Sequence, residues 1–170
     1  MSYTITVDLG DSGLGMLMRN LEKYREDLDK KMDTYLDMLA ERLAELATEG
    51  FSGAYVDVSR DGAIPAGGAV SWDASGNTRT IKAEGSEVLF IEFGAGVTHN
   101  TAVGGSPHPK GAELGMTIGS YGRRGGQHAW LYYENGNIRW TEGTPAQMPM
   151  YNAVLQLLDE APGIAEEVFG

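Results

Sequence analysis

Ten apolar residues between Leu14 and Leu46 recur at steps of three or four: Leu14, Leu17, Leu21, Tyr24, Leu28, Met32, Tyr35, Leu39, Leu43 and Leu46. That spacing draws a single stripe along one side of an α-helix. Glu22, Lys23, Glu26, Asp27, Lys30, Glu41 and Glu45 fall opposite it, and Gly50 reads as a natural C-cap. The pattern predicts a helix over about 14–48, which at 1.5 Å per residue spans roughly 50 Å. A chain of 170 residues supports one domain over 1–170, and a domain of that size is narrower than the helix is long. Either the helix bends, or part of its stripe meets another chain.

The remaining segments are shorter. Tyr3, Ile5, Val7 and Leu9 alternate with Thr4, Thr6 and Asp8, which is the period of a half-buried strand. AYVDVS, GGAVSWD, TRTIKAE and VLFIEF read as further strands within 54–94, with Asp73–Asn77 as a hairpin loop. Residues 95–128 are rich in Gly, Ser, Thr and Pro and read as one long variable loop. AWLYYE and NIRWTE, within 129–142, flank Asn135-Gly136, a strong hairpin signal. Thr144-Pro145-Ala146-Gln147 has the form of a capping box, but Pro149 disfavours helical geometry at Met148. The C-terminal helix is therefore expected over about 149–168, interrupted at Pro162-Gly163. The fold class is α+β: a long N-terminal amphipathic helix and a C-terminal helix packed on a mostly antiparallel sheet, with a long Gly-rich loop.

Composition narrows the function. The formal charge of −11 repels nucleic acid on average, and Arg123-Arg124 is the one local basic tip. Without cysteine, disulfides and thiol catalysis are excluded. No run approaches the roughly 18 apolar residues of a membrane span. The opening MSYTITVDLG lacks a basic n-region and a long apolar core, so no signal peptide is expected. His99, His108 and His128 lie in or beside the long loop at no metal-ligand spacing, with Glu113 the one nearby carboxylate, and read as solvated. No G-x-S-x-G, phosphate-loop or dinucleotide fingerprint is present. Glu87, Glu92 and Glu134 border strands, but their spacing gives no reason to pair them as a hydrolase would. The expectation is no enzyme activity, no cofactor and no metal.

Two stretches carry a resemblance. Val88-Leu-Phe-Ile-Glu92-Phe93-Gly94-Ala-Gly96 and Gly143-Thr-Pro145-Ala146-Gln147-Met148-Pro149-Met150-Tyr151-Asn152-Ala153 resemble the signature of the HK97-type "gene product ten" family of tailed-phage tail components, also described as neck, tail-completion or tail-terminator proteins. The order of elements is similar along most of the chain. Gln147 stands where arginine is common, Met148 is an extra residue before Pro149, and Met150 replaces a frequent phenylalanine.

The resemblance implies a structural virion protein assembled in the host cytoplasm. Its expected partners are its own copies in a six-fold ring and the adjacent tail-tube and head-closure or connector proteins. Genomic DNA would at most pass through the channel without sequence-specific contact, and no membrane is involved. A head-closure adaptor, or an acidic phage protein binding a host factor, remains an alternative. Under this reading Gly94, Gly96, Arg123, Arg124, Trp130, Tyr132, Trp140, Pro145 and Pro149 are interface or anchor candidates. Strand alternation puts Leu89, Ile91 and Phe93 on one face, with Val88, Phe90, Glu92 and Gly94 on the other. Glu92 then reads as a loop anchor, accepting donors from the following loop or an arginine such as Arg139.

Overall fold

Helix α1 runs from Asp11 to Ser52, 42 residues, or about 63 Å. The computed structural model describes residues 11–58, 62–95, 106–114, 130–134 and 136–170. The expected strand over 3–9 and most of the loop over 95–128 lie outside them. The helix exceeds its expected bounds at both ends, and Gly50 is part of its last turn rather than its cap. Close packing explains the glycine: a Cβ at Gly50 would sit 2.8 Å from Pro149 Cβ.

Among the described residues the strands form three separate antiparallel ribbons instead of one sheet. β1 (Tyr55–Val58) pairs with β2 (Gly62–Pro65), a strand not anticipated from sequence, with Val56 opposite Ile64. β3 (Ala69–Ser75) pairs with β4 (Thr78–Glu84), Trp72 opposite Ile81. Asp73, Ala74 and Ser75 are paired, so the turn contracts to Gly76-Asn77. β5 (Trp130–Glu134) pairs with β6 (Asn137–Thr141), Glu134 opposite Asn137. Two-stranded ribbons are marginal alone. Arg79 fastens β4 to α1, its guanidinium donating to Asp37 (2.5 Å) and Asp33 (3.3 Å).

The segment expected as the most apolar strand is instead a short helix, α2, Val88–Phe93. Its N–H groups follow helical bonding, with Ile91 N–H to Glu87 O and Gly94 N–H to Phe90 O, both 2.9 Å. Phe93 at the end of α2 is buried, and so are Val88, Ile91 and Glu92, while Leu89 and Phe90 between these three are about half exposed. That is the spacing i, i+3, i+4, not alternation. An apolar run of six residues carries no decisive period, and the helical form lets Val88 and Ile91 enter one cluster with Phe51 and Ala54.

Helix α3, Pro149–Phe169, runs unbroken through Pro162, where an interruption was expected. Pro162 and Gly163 are exposed and Leu158 is 64% exposed. The carbonyl that loses its N–H partner therefore lies on the water side, which makes the proline tolerable.

α3 lies antiparallel along the second half of α1. Leu46 and Ala47 meet Ala153 near its start, Arg42 forms a two-pronged pair with Glu160 (2.6 and 3.0 Å), and Tyr35 meets Phe169 edge-on at its end (5.7 Å). Val70 and Met150 join the two small core clusters. The chain is thus α+β, with its core where α1, α2, α3 and the β3–β4 ribbon converge. Nine hydrophobic residues are buried while eighteen large ones are exposed among those described, so much apolar surface is left uncovered.

Candidate functional site

The two sequence stretches that carry the resemblance are folded into one unit around the start of α3. Met148, the residue before the helix, adopts a left-handed conformation (φ 56°, ψ 44°) and offers no side-chain cap. Pro149 follows as the first helical residue and has no N–H. The next two amides would be orphaned. Glu92 receives both: Met150 N–H donates to its Oε2 and Tyr151 N–H to its Oε1, each at 2.9 Å. A carboxylate from α2, 58 residues earlier in the chain, therefore caps α3 and sits at the positive end of the helix dipole.

A third donor completes the seat. His108, buried with 6% of its surface exposed, lies 3.1 Å from Glu92 Oε1 through Nε2. Its Nδ1 accepts the Lys110 N–H at 3.0 Å, so that nitrogen carries a lone pair and Nε2 carries the proton given to Glu92. The ring is held between Phe93 (4.5 Å) and Tyr151 (5.1 Å). Ser106 Oγ donates to Phe93 O and accepts His108 N–H. Residues 106–114 are thereby tied to the end of α2.

The lead-in to α3 is fixed on the same scaffold. Ala95 and Thr144 exchange two backbone bonds of 2.8 Å, and Gln147 N–H donates to Ile91 O at 2.8 Å. The Gln147 side chain clamps the Tyr55 backbone, accepting its N–H (3.1 Å) and donating to its carbonyl (2.7 Å). Gly94, at φ 75°, turns the chain out of α2 in a conformation that favours glycine.

Glu92 lies in a helix and is deeply buried, not on a mixed face near a strand's end. Its donors are the α3 amides and His108, not Arg139. His108 is correspondingly not a solvated loop residue. Pro149 is buried against Gly50, and Pro145 is half-buried in the lead-in. Trp140 on β6 is 38% exposed. Trp130 and Tyr132 lie on β5, opposite Thr141 and Arg139 in register. Gly96, Arg123, Arg124, His99 and His128 are outside the described residues. Glu113 is exposed and paired with Lys110. No signal in the sequence marked His108 or the Gln147 clamp.

The Glu92 carboxylate is taken by three donors, and both His108 ring nitrogens are engaged. Ser106 is bonded to backbone and not to the imidazole. Elsewhere, Glu41, Glu45, Glu49, Thr48, Ala44 and Trp72 line an open acidic groove between α1 and the β3–β4 ribbon. Among the described residues no group of three His, Asp or Glu side chains is placed to hold a metal ion, and no helix is long and apolar enough to cross a membrane. No family model, curated protein or solved structure matches this chain.

Proposed function

We propose that this chain is a structural subunit of a tailed-phage virion, a ring-forming neck or tail-completion protein joining tail to head. The observation that carries the reading is the first half of α1. Its stripe leaves the subunit body uncovered, with Leu14, Leu21, Leu28 and Met32 41–49% exposed. A surface helix with one apolar face needs a partner for that face. A small core beside a large apolar surface suits a subunit that reaches its final stability in an assembly. The motif resemblance supplies the class, and the joined unit of α2 and the α3 lead-in gives its two stretches a common physical purpose: fixing α3 and the loop after α2.

The test is on particles. Mass spectrometry of purified virions, tails and filled heads is expected to find the protein in virions and on tails, and negative-stain microscopy to find rings in the purified protein. Absence from virions and tails alike refutes the reading. Recovery on filled heads but not on tails assigns the protein to head closure instead.

A further inference from the structure

The stripe that packs α1 on α3 does not stop where α3 stops. Leu43 and Leu46 use it against the α3 cluster, Tyr35 meets Phe169 at the end of α3, and beyond that Met32, Leu28, Leu21 and Leu14 of the same stripe are exposed. The inner face of α3 is occupied by its own α1. Its outer face is not: Val154, Leu155 and Leu158 are 39%, 45% and 64% exposed, and Pro162 extends the same side.

The charges of the two faces match. At about 100° per residue, Arg25 and Lys31 flank the α1 stripe about 60° to either side of its midline. Residues 14–32 hold five basic residues (Arg19, Lys23, Arg25, Lys30, Lys31) against four acidic ones (Glu22, Glu26, Asp27, Asp29). This segment is net +1 in a chain of −11. α3 has Asp159, Glu160, Glu166 and Glu167 and no lysine or arginine, and the exposed Asp159 and Glu166 lie together on one edge of its outer apolar face. Pairing two arms with each other would instead bring like cations together at the rim of the seam. The acidic groove beside Trp72 has the right sign but little apolar area to cover leucines.

We propose that residues 14–32 of α1 dock on the outer face of α3 in a second copy of this chain, Leu21 and Leu28 against Val154 and Leu158, with one cationic flank of the stripe, that of Arg25 or that of Lys31, facing Asp159 and Glu166. The two patches differ, so the contact is heterologous and repeats from copy to copy, as a ring requires. The proposal names the subunit contact on which the ring reading rests. It is tested on purified protein, so its failure leaves particle incorporation to be decided separately.

Two variants separate donor from acceptor: Leu21→Glu/Leu28→Glu removes the donor, and Val154→Glu/Leu158→Glu removes the acceptor. Both sets are exposed, so Tm in the monomeric state is expected to hold, and it is measured on each. By light scattering after size exclusion at about 100 μM, a weak-complex regime, wild type is expected to associate and each variant to be monomeric. Mixed one to one, the variants are expected to give a heterodimer, because one intact arm meets one intact acceptor. Arg25→Glu/Lys31→Glu is expected to weaken association about tenfold, and Asp159→Lys/Glu166→Lys in the same chain to restore it. A monomeric wild type, an acceptor variant that associates like wild type, or a mixture without heterodimer overturns the proposal.

Discussion

Replacing Glu92 by glutamine changes little in shape and removes one of two acceptor oxygens. The carboxylate takes Tyr151 N–H and His108 Nε2–H on one oxygen and Met150 N–H on the other. A glutamine carbonyl can keep the first pair, but its NH₂ then confronts the Met150 N–H, donor against donor, in a site with 6% exposure. A charge-assisted hydrogen bond lost in this way costs about 1.5–3 kcal/mol, and losing the charge at the helix N-terminus adds about 1 kcal/mol. The amide offsets part of this because a neutral group is cheaper to bury. The net expectation is a loss of about 2–3 kcal/mol, or about 5–10 °C in Tm for a chain of this length. Thermal unfolding by circular dichroism measures the total. Hydrogen exchange gives the location, with the Met150 and Tyr151 amides losing protection before the middle of α3. A double-mutant cycle of Glu92→Gln with His108→Ala should return a coupling of about 0.5–3 kcal/mol. A Tm drop below about 2 °C, or unchanged exchange at both amides, would refute the assignment of Glu92 as the cap.

Other outcomes follow from neighbouring contacts. The Arg42 guanidinium lowers the Glu160 carboxyl to about 2 from 4.5. A depressed folded value contributes stability above the unfolded value and loses it on acidification. The Tm gap between wild type and Glu160→Gln should therefore narrow as pH falls from about 4.5 toward about 2, read from melting curves across that range. Gly50→Ala is expected to destabilise by about 1–3 kcal/mol in denaturant titration, because the added methyl meets the Pro149 ring. Phe51→Ala empties one of the largest fully buried positions and is expected to cost about 3–5 kcal/mol in the same assay.

How much could be read in advance depended on the range of the interactions. α1 was legible because ten positions repeat one period, and the β3–β4 and β5–β6 ribbons because turn residues separate alternating runs. Gly50 misled because its reason is a contact with Pro149, 99 residues away, and not its own helix. The strand expected at VLFIEF failed for a related cause. Six residues state no period, and the helical choice is set by what α2 packs on. The oddity of Glu92, a carboxylate in an apolar run, was legible. Its partners were not, since they come from residues 16, 58 and 59 positions further on. His108 had nothing local to distinguish it from a solvated histidine.

The antiparallel seam between α1 and α3 also sets an order of events during synthesis. It joins α1 to α3, with Arg42 and Glu160 118 residues apart. Closing so long a loop is entropically costly, and contacts of this range form late. On the ribosome, Leu43, Leu46 and Ala47 emerge early and wait for Ala153 and Leu157, and α3 in turn waits for the carboxylate already made in α2. Until α3 is released, the nascent chain carries an uncovered leucine-rich helix, the kind of exposed segment that recruits chaperones or aggregates. A stop codon placed just before Pro149 would therefore remove more than a terminal helix: it would leave the chain without the element that closes its core.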